Sequence, residues 1–310
     1  MGIDVSILIT VYNKEPYLRD TIESLLAQRN PLTIEYIFVD DVSTDRSIQV
    51  IEDATRGVPN VIIIRNTENR GPSARVNQGF AASRGEFIQC IDSDDIMLRG
   101  VSERLRSLLI KYDADMIYGG WYKLGYLEKF DKQKALPERL RKSISDDPMA
   151  YSLGGRVVRM NLMATREAFE RSGGCDERIF VQDESLALHL AEVSKRMIQI
   201  HAPLVWVPPG EDKLSRHITQ SNHDRFLANY YEWIKYSQMG KTDLAKELYR
   251  RCVSATWKQK RYEDRIGSHF SKFFLRYCMS KWPNVTIDAP WIEEQKAYFL
   301  SRPEVRRISS

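Results

Sequence analysis

Residues 5–28, VSILITVYNKEPYLRDTIESLLAQ, read as a buried strand, a polar turn and an amphipathic helix in succession. Val5-Ser6-Ile7-Leu8-Ile9-Thr10 is an apolar, branched run of the kind expected of a strand covered on both faces. From Pro16 to Gln28, Leu18, Ile22, Leu25 and Leu26 recur at helical spacing, and Pro16 suits a first turn because the N–H it lacks has no helical partner there. The same unit then repeats outward along the chain. Ile34 to Val39 predicts a second strand, and Asp45 is positioned to cap a helix bearing Ile48, Val50 and Ile51. Val61 to Ile64 predicts a third strand, Pro72 to Ser83 a helix, and Glu86 to Ile91 a fourth strand. Val101 to Tyr112 predicts a helix leading to a fifth strand at Asp115 to Tyr118. Regular alternation of this kind predicts an α/β fold with a mainly parallel central sheet and helices on both faces.

Tyr122 to Pro148 breaks the pattern with a charged stretch that predicts an excursion or flexible loop. Helical signals resume at Arg166 to Arg171 and Ser185 to Glu192. From about Arg225 onward the chain is different in kind, successive helices rich in Tyr, Trp, Phe, Lys and Arg. The expected organisation is a large α/β domain over 1–218 and a C-terminal helical region over 219–310, with the boundary between about 215 and 225.

The formal charge of +4 on 310 residues is mild, and the first half has no concentrated basic face, which argues against a nucleic-acid binder. Cys90, Cys175, Cys252 and Cys278 show no pairing typical of zinc sites or disulfide frameworks, so a reducing compartment is expected. No run approaches the ~18 apolar residues that span a bilayer, and nothing resembles a secretory signal. The expected location is cytoplasmic, with peripheral contact at the inner face of the cell membrane left open.

In parallel sheets ligands gather beyond the carboxyl ends of the strands, and the polar residues concentrate there: Thr10 to Asn13, Asp40-Asp41, and Asp92-Ser93-Asp94-Asp95. Three carboxylates in four residues repel one another and gain no core burial. They make sense around a divalent cation that completes its shell with water and substrate phosphate oxygens. The ordinary alternative is a solvated acidic turn. The Tyr12 ring can stack on a nucleobase, and the Asp41 carboxylate, if free, can accept a base N–H.

With these stretches in hand, the sequence resembles the family 2 inverting glycosyltransferases of GT-A fold. The resemblance is carried by VSILITVYNKEPYLRDTIESLLAQ, IFVDDVSTDRS, NRGPSARVNQGFAASRGEFIQCIDSDD and, more weakly, GGCDERIFVQDESLALHL, in matching order over roughly residues 4–195. It implies a GT-A nucleotide-diphospho-sugar transferase fold and transfer from a nucleotide sugar, UDP-sugars favoured, to a hydroxyl of a glycan or lipid-linked acceptor in bacterial surface polysaccharide synthesis. It places the nucleoside on Thr10, Tyr12, Asn13 and Asp41, with Arg75 in the donor pocket. Asp92 and Ser93 fall to the diphosphate. Mn²⁺ or Mg²⁺ falls to Asp92 and Asp94, with Asp95 as a further candidate. His217 precedes a Ser-rich element and is a third candidate contact, with a surface histidine as the alternative. The family's general base maps onto Asp183, where Gln182 replaces the usual Glu of a Glu-Asp pair; Asp176 and Glu184 are the fallbacks, and helix capping is the structural alternative for Asp183.

Rival readings separate on the same residues. A nucleotidyltransferase would carry a Gly-rich basic loop after the first strand, where this chain has Tyr12-Asn13-Lys14-Glu15. A dinucleotide oxidoreductase would carry GxGxxG there. Retaining transfer on the same fold and a catalytically inactive sugar-nucleotide-binding protein remain as alternatives. In the C-terminal region Lys258, Lys260, Arg261, Arg265, Lys272, Arg276 and Lys281 alternate with Trp257, Tyr262, Phe270, Phe273, Phe274, Tyr277 and Trp282. That pattern fits either an anionic membrane surface or a packed bundle with solvated cations, and a homo-oligomer contact is a further option.

Overall fold

The structure, a computed structural model, describes residues 2–29, 31–125, 131, 134–154, 161–209, 217–264 and 271–306. Two compact units emerge. One comprises residues 1–177 and 185–210, and the other comprises 178–184 and 211–310.

The first unit is built on a sheet of nine strands among the described residues, ordered β3-β2-β1-β4-β8-β6-β9-β5 with β7 also pairing β9. Its strands are β1 (Val5–Val11), β2 (Ile34–Asp40), β3 (Val61–Arg65), β4 (Phe87–Asp92), β5 (Ile96–Met97), β6 (Met116–Lys123), β7 (Lys142–Ser145), β8 (Leu162–Thr165) and β9 (Met197–Val207). The helices α1 (Glu15–Leu26), α2 (Ser47–Ala54), α3 (Gly71–Ala82), α4 (Val101–Tyr112), α5 (Pro148–Leu153), α6 (Arg166–Ser172) and α7 (Gln182–Val193) connect them. The parallel half, β3-β2-β1-β4, is the part that the sequence alternation predicts. The other half is mixed. β8 runs antiparallel to β4 and β6, β9 is parallel to β6, and β5 and β7 run antiparallel to β9.

Alternation along the strands sorts the core. Val5, Ile7, Ile9, Val11, Ile34, Tyr36 and Phe38 face the side covered by Leu18, Ile22 and Leu25 of α1 and Leu105, Leu108 and Leu109 of α4. Each such fully buried side chain contributes about 1.5–3 kcal/mol. The opposite face takes α3, whose Gly79 lies so near the sheet that a β-carbon there would meet Val39 Cγ2 at 3.1 Å and Leu8 Cδ2 at 3.6 Å. Helices therefore cover both faces of the parallel half.

A buried acid ties this half together. Glu35, at the start of β2, is fully buried and accepts Ser6 Oγ at 2.5 Å, Gly85 N at 3.2 Å and Arg84 Nε at 3.1 Å. These donors offset the desolvation that an isolated carboxylate would suffer.

Asp45 is not the N-cap of α2, which begins at Ser47. Its Oδ1 accepts Ser47 N at 2.9 Å, and its Oδ2 accepts Glu15 N, the first residue of α1, at 3.0 Å. One carboxylate serves two helix starts. Within the charged excursion expected over Tyr122 to Pro148, the described residues include the end of β6 and the whole of β7. Residues 126–130, 132 and 133 lie outside the described residues.

The second unit contains α8 (Ile218–Gln238), α9 (Thr242–Asp264), α10 (Lys272–Ser280) and α11 (Ala289–Leu300). Helices α8 and α9 pack along each other, and α10 and α11 pack against them. Phe226, Tyr230, Trp233, Tyr249, Trp257 and Phe299 are buried, with Phe226 stacked on Phe299 at 4.6 Å. Several of the cations foreseen on this region lie over its own rings. Lys260 Nζ lies 3.6 Å from the Tyr298 centroid, and Arg276 lies 4.5 Å from that of Trp291 and 2.9 Å from Asp288. Tyr262 and Trp282 are exposed; Arg265 and Phe270 lie outside the described residues. No described helix is long and apolar enough to cross a membrane.

Candidate functional site

The chain moves from β1 to β2 and β3 on one side of the sheet, and β4 returns to the other side of β1. This reversal creates a switch point at the β1 exit. In register, Thr10 pairs with Val39 of β2 and with Asp92 of β4, and Val11 pairs with Asp40. The three polar turns singled out in the sequence therefore leave adjacent strands side by side.

After β1, Tyr12 is 38% exposed, which leaves ring surface for a ligand. Asn13 takes a left-handed conformation, φ 51°, a region Asn tolerates better than most residues. Its Oδ1 accepts Thr44 N at 2.8 Å, and its N–H donates to Ser43 Oγ at 3.0 Å. Asn13 thus locks the β1 turn to the β2 turn, and its side-chain oxygen is occupied by protein.

Asp41, expected as a free carboxylate, is buried and heavily engaged. Its Oδ1 accepts Arg70 N at 2.9 Å and Arg75 Nε at 2.6 Å, and its Oδ2 accepts Gly71 N at 2.8 Å. Gly71 opens α3, so the carboxylate meets the N–H groups that a helix start leaves without partners. An ionised carboxylate offers about four acceptor positions, and these three donors leave room for one more. Arg75 is itself buried, which excludes the exposed-arginine reading. It donates onward to Gln78 Oε1 at 3.0 Å and to the Glu68 carbonyl. Beside it opens a cavity of about 480 Å³ lined by Asn66, Thr67, Glu68, Arg70, Ala74, Arg75, Asn77, Gln78 and Glu177.

The β4 exit closes in a tight turn, with Asp95 N donating to Asp92 O at 3.1 Å. Ser93 is buried and its carbonyl accepts Thr21 Oγ1 at 3.3 Å. Asp94 is buried and accepts Lys14 Nζ at 2.9 Å. Lys14 was not foreseen as a site residue. It lies 80 positions from Asp94 in sequence, and only its place immediately after Asn13 hinted at it.

Among the described residues, no three His, Cys, Asp or Glu side chains are gathered as ligands for one ion. Of the expected ligands, Asp92, Asp94 and Asp95 lie in the first unit and His217 in the second. His217 is an exposed residue immediately before α8, and Asp94 holds an ammonium. The donor chemistry still fits a hard cation, which uses one or two carboxylates and draws its other ligands from water and substrate phosphate. Asp94 in fact already holds one positive charge. Asp92 and Asp94 are the residues that would hold such an ion.

The Gly-Gly-x-Asp element forms a latch in this unit. Gly173 and Gly174 have φ of 70° and 77°, where a side chain would be strained. Asn77 of α3 clasps Cys175, accepting its N–H at 2.8 Å and donating to its carbonyl at 3.0 Å. His189 Nδ1 lies 2.7 Å from the Gly174 carbonyl, and Asp176 N donates to Ser185 Oγ at 3.1 Å.

Asp183 lies in the second unit, in the segment 178–184. It is the second residue of α7, so it is not the N-cap; with Glu184 it gives the first turn its acidic character, which the helix dipole favours. Within the same unit, the segment is anchored by buried Asp224, whose Oδ2 accepts Val181 N at 2.7 Å. Glu184 pairs with Arg225 at 2.6 Å.

Residues 6–172 match the model of glycosyl transferase family 2. This chain belongs to that family. It is 35% identical over 119 residues to the glycosyltransferase GlyG of Streptococcus pneumoniae, covering 38% of this chain and 39% of that protein. It is 46% identical over 94 residues to the minor teichoic acid biosynthesis protein GgaA of Bacillus subtilis, covering 29% of this chain and 21% of that one. The matched stretch is thus less than half the length of either relative. Among solved structures, that of S. aureus TarS 1-349 in complex with UDP-GlcNAc superposes with a TM-score of 0.65 over 96% of this chain and 80% of that one, at 15% identity. The shared fold is GT-A.

Proposed function

We propose that this member of family 2 transfers a sugar from a UDP-sugar, with inversion, to a hydroxyl of a glycan or lipid-linked acceptor in bacterial cell-surface polymer synthesis. The observation that carries the reading is the convergence of three polar turns at one switch point, where Asp94 of the acidic turn meets the Lys14 ammonium that follows β1. Family membership and the UDP-GlcNAc complex of the TarS neighbour support it.

In this reading the Tyr12 ring stacks on the uracil, an interaction worth about 1–3 kcal/mol for a base on an aromatic ring. Asp41 accepts the base N–H at its remaining position, and Arg75 fixes the direction of that carboxylate. Thr10 and Ser93 border the ribose and diphosphate. Asp92 and Asp94 would hold Mn²⁺ or Mg²⁺, whose chemistry is to neutralise charge on the departing diphosphate. Asp183 takes the proton from the acceptor hydroxyl as its oxygen bonds to the anomeric carbon. The bond from that carbon to the diphosphate breaks, and UDP leaves with the electron pair.

The test is UDP release and product formation across a panel of UDP-sugars with and without EDTA, together with NMR of the new anomeric centre. Asp183→Ala is expected to lose about 10²–10⁴-fold in transfer while still binding UDP. Wild-type transfer by Asp183→Ala would remove the base assignment, and a retained anomeric configuration would remove inversion. UDP-sugar binding without turnover, for every acceptor offered, would favour an inactive binding protein.

A further inference from the structure

The outer face of α10 and the residue pair that follows it carry the two most exposed large apolar side chains among the described residues. Trp282 is 68% exposed and Leu275 is 61% exposed, with Met279 between them at 53%. Single exposed apolar residues are ordinary on a protein surface, but three together at i, i+4 and i+7 form a stripe. Cys278 is exposed as well. Trp282 continues the last turn, its N–H donating to Met279 O at 3.1 Å. At 3.6 residues per turn, Leu275, Cys278, Met279 and Trp282 fall within an arc of roughly 100°.

The stripe is displayed on a helix fixed at both ends and along its inner face. Ser271 Oγ caps the start of α10, accepting Phe274 N at 3.1 Å. At the other end, Arg250 of α9 donates to the carbonyls of Ser280 at 2.8 Å and Trp282 at 3.0 Å. The inner face rests on Trp257 of α9, whose ring meets Phe274 at 5.2 Å and Tyr277 at 6.3 Å. Both faces of the helix are therefore apolar, and the outer one meets solvent. Exposed Lys272 and Lys281 stand at the two edges of the outer stripe, one on each side. Arg276 is engaged elsewhere, donating to Tyr249 Oη at 3.0 Å and pairing with Asp288 at 2.9 Å. No Asp or Glu occurs in the sequence between Asp264 and Asp288.

We propose that the outer face of α10, with Trp282, docks on an anionic membrane surface. The apolar stripe enters the boundary between headgroups and acyl chains, and Lys272 and Lys281 meet lipid phosphates on either side of it. The side chains suit that depth, because an indole is apolar with one polar edge, and a lysine stem lies along apolar surface while its ammonium reaches out. Charge decides between possible occupants. If two copies met face to face about a twofold axis, each lysine edge would lie beside another lysine edge, and like charges would oppose the contact at both rims. An anionic lipid surface complements both edges at once. The inference concerns the second unit alone and stands apart from sugar transfer.

The experiment sediments the full chain with vesicles of phosphatidylcholine alone or mixed equally with phosphatidylglycerol. Wild type is expected to bind the mixed vesicles, more weakly as salt rises, and to bind phosphatidylcholine alone far less. Lys272→Gln/Lys281→Gln is expected to bind roughly thirtyfold more weakly, about fivefold for each lysine near an anionic surface. Leu275→Gln/Met279→Gln keeps the charge and is expected to lose at least about tenfold through the missing apolar area. All four positions are exposed, and a wild-type urea midpoint checks that each variant folds. Brominated acyl chains are expected to quench the tryptophan emission of wild type, and to quench that of Trp282→Phe less. No binding to the mixed vesicles, equal binding by wild type and either double variant, or equal quenching in Trp282→Phe overturns the proposal. Dimerisation without lipid that Leu275→Gln/Met279→Gln abolishes would overturn it too, by giving the face to a second copy.

Discussion

Single residues in the first unit carry backbone constraints that mutation can expose. A β-carbon on Gly85 would lie 2.5 Å from the Ser6 backbone nitrogen and 2.8 Å from the Val5 carbonyl carbon. Both obstacles are main-chain atoms of a central strand, so neither can rotate away. Gly85→Ala is expected to lower unfolding stability by about 2–3 kcal/mol, read as a shifted urea midpoint with an unchanged slope. Val42 offers the opposite case. It sits in the Asp41–Asp45 turn at φ 67°, a left-handed conformation that costs a side chain with a branched β-carbon roughly 1–2 kcal/mol. Glycine there removes that strain but loses roughly 0.5–1 kcal/mol through chain entropy. Val42→Gly is expected to leave stability unchanged or raise it by up to ~1 kcal/mol, and a clear loss in chemical denaturation would show that the Val42 side chain, not the turn geometry, matters most.

At the scale of elements, the joints between strand exits and helix starts are held by carboxylates, which gives them a pH signature. Burial pushes the Asp45 carboxyl up, but hydrogen bonds from Ser47 and the backbone at Glu15 outweigh it and leave the group below its ordinary value. A carboxyl lowered in the folded state stabilises fully at neutral pH, above its unfolded value near ~3.9, and loses that contribution as pH falls toward its folded value. The stability gap between wild type and Asp45→Ala is therefore expected to be widest at pH 7 and to shrink below pH 4; a gap that widens in acid would refute the assignment. The same joints mark where the sequence could be read and where it could not. β1, β2, β3, β4 and the helices between them were legible because buried branched runs alternate with helical periodicity. β5 has two residues, β7 and β8 have four each, and β9 is interrupted by His201-Ala202-Pro203; none carries a period long enough to register. The positions of Asp41, Asp92 and Asp94 at strand exits were legible from local pattern. The engagement of Asp41 by Arg70, Gly71 and Arg75, and the Lys14–Asp94 pair, were not. They join residues about 30 to 80 positions apart, and no local periodicity encodes such a meeting.

For the whole molecule, the division into two compact units sets an expectation about how ligand binding spreads. A ligand stabilises what binds it by RT ln(1 + [L]/Kd), about 2.7 kcal/mol at a hundredfold excess over Kd. If the donor contacts only the turns after β1, β2 and β4 and the start of α3, that energy enters the cooperative unit containing the parallel sheet. Hydrogen exchange measured with and without saturating UDP is then expected to slow in peptides spanning 10–14, 39–45, 69–75 and 92–95. Peptides from α9 and α11 should exchange at unchanged rates, because their protection reflects the opening of a separate aromatic core around Phe226, Tyr249 and Phe299. Equal slowing in both sets would mean that the units open as one body despite their separate cores. Slowing confined to α9 and α11 would put the nucleotide on the cation-rich helices and displace it from the acidic turn at Asp94.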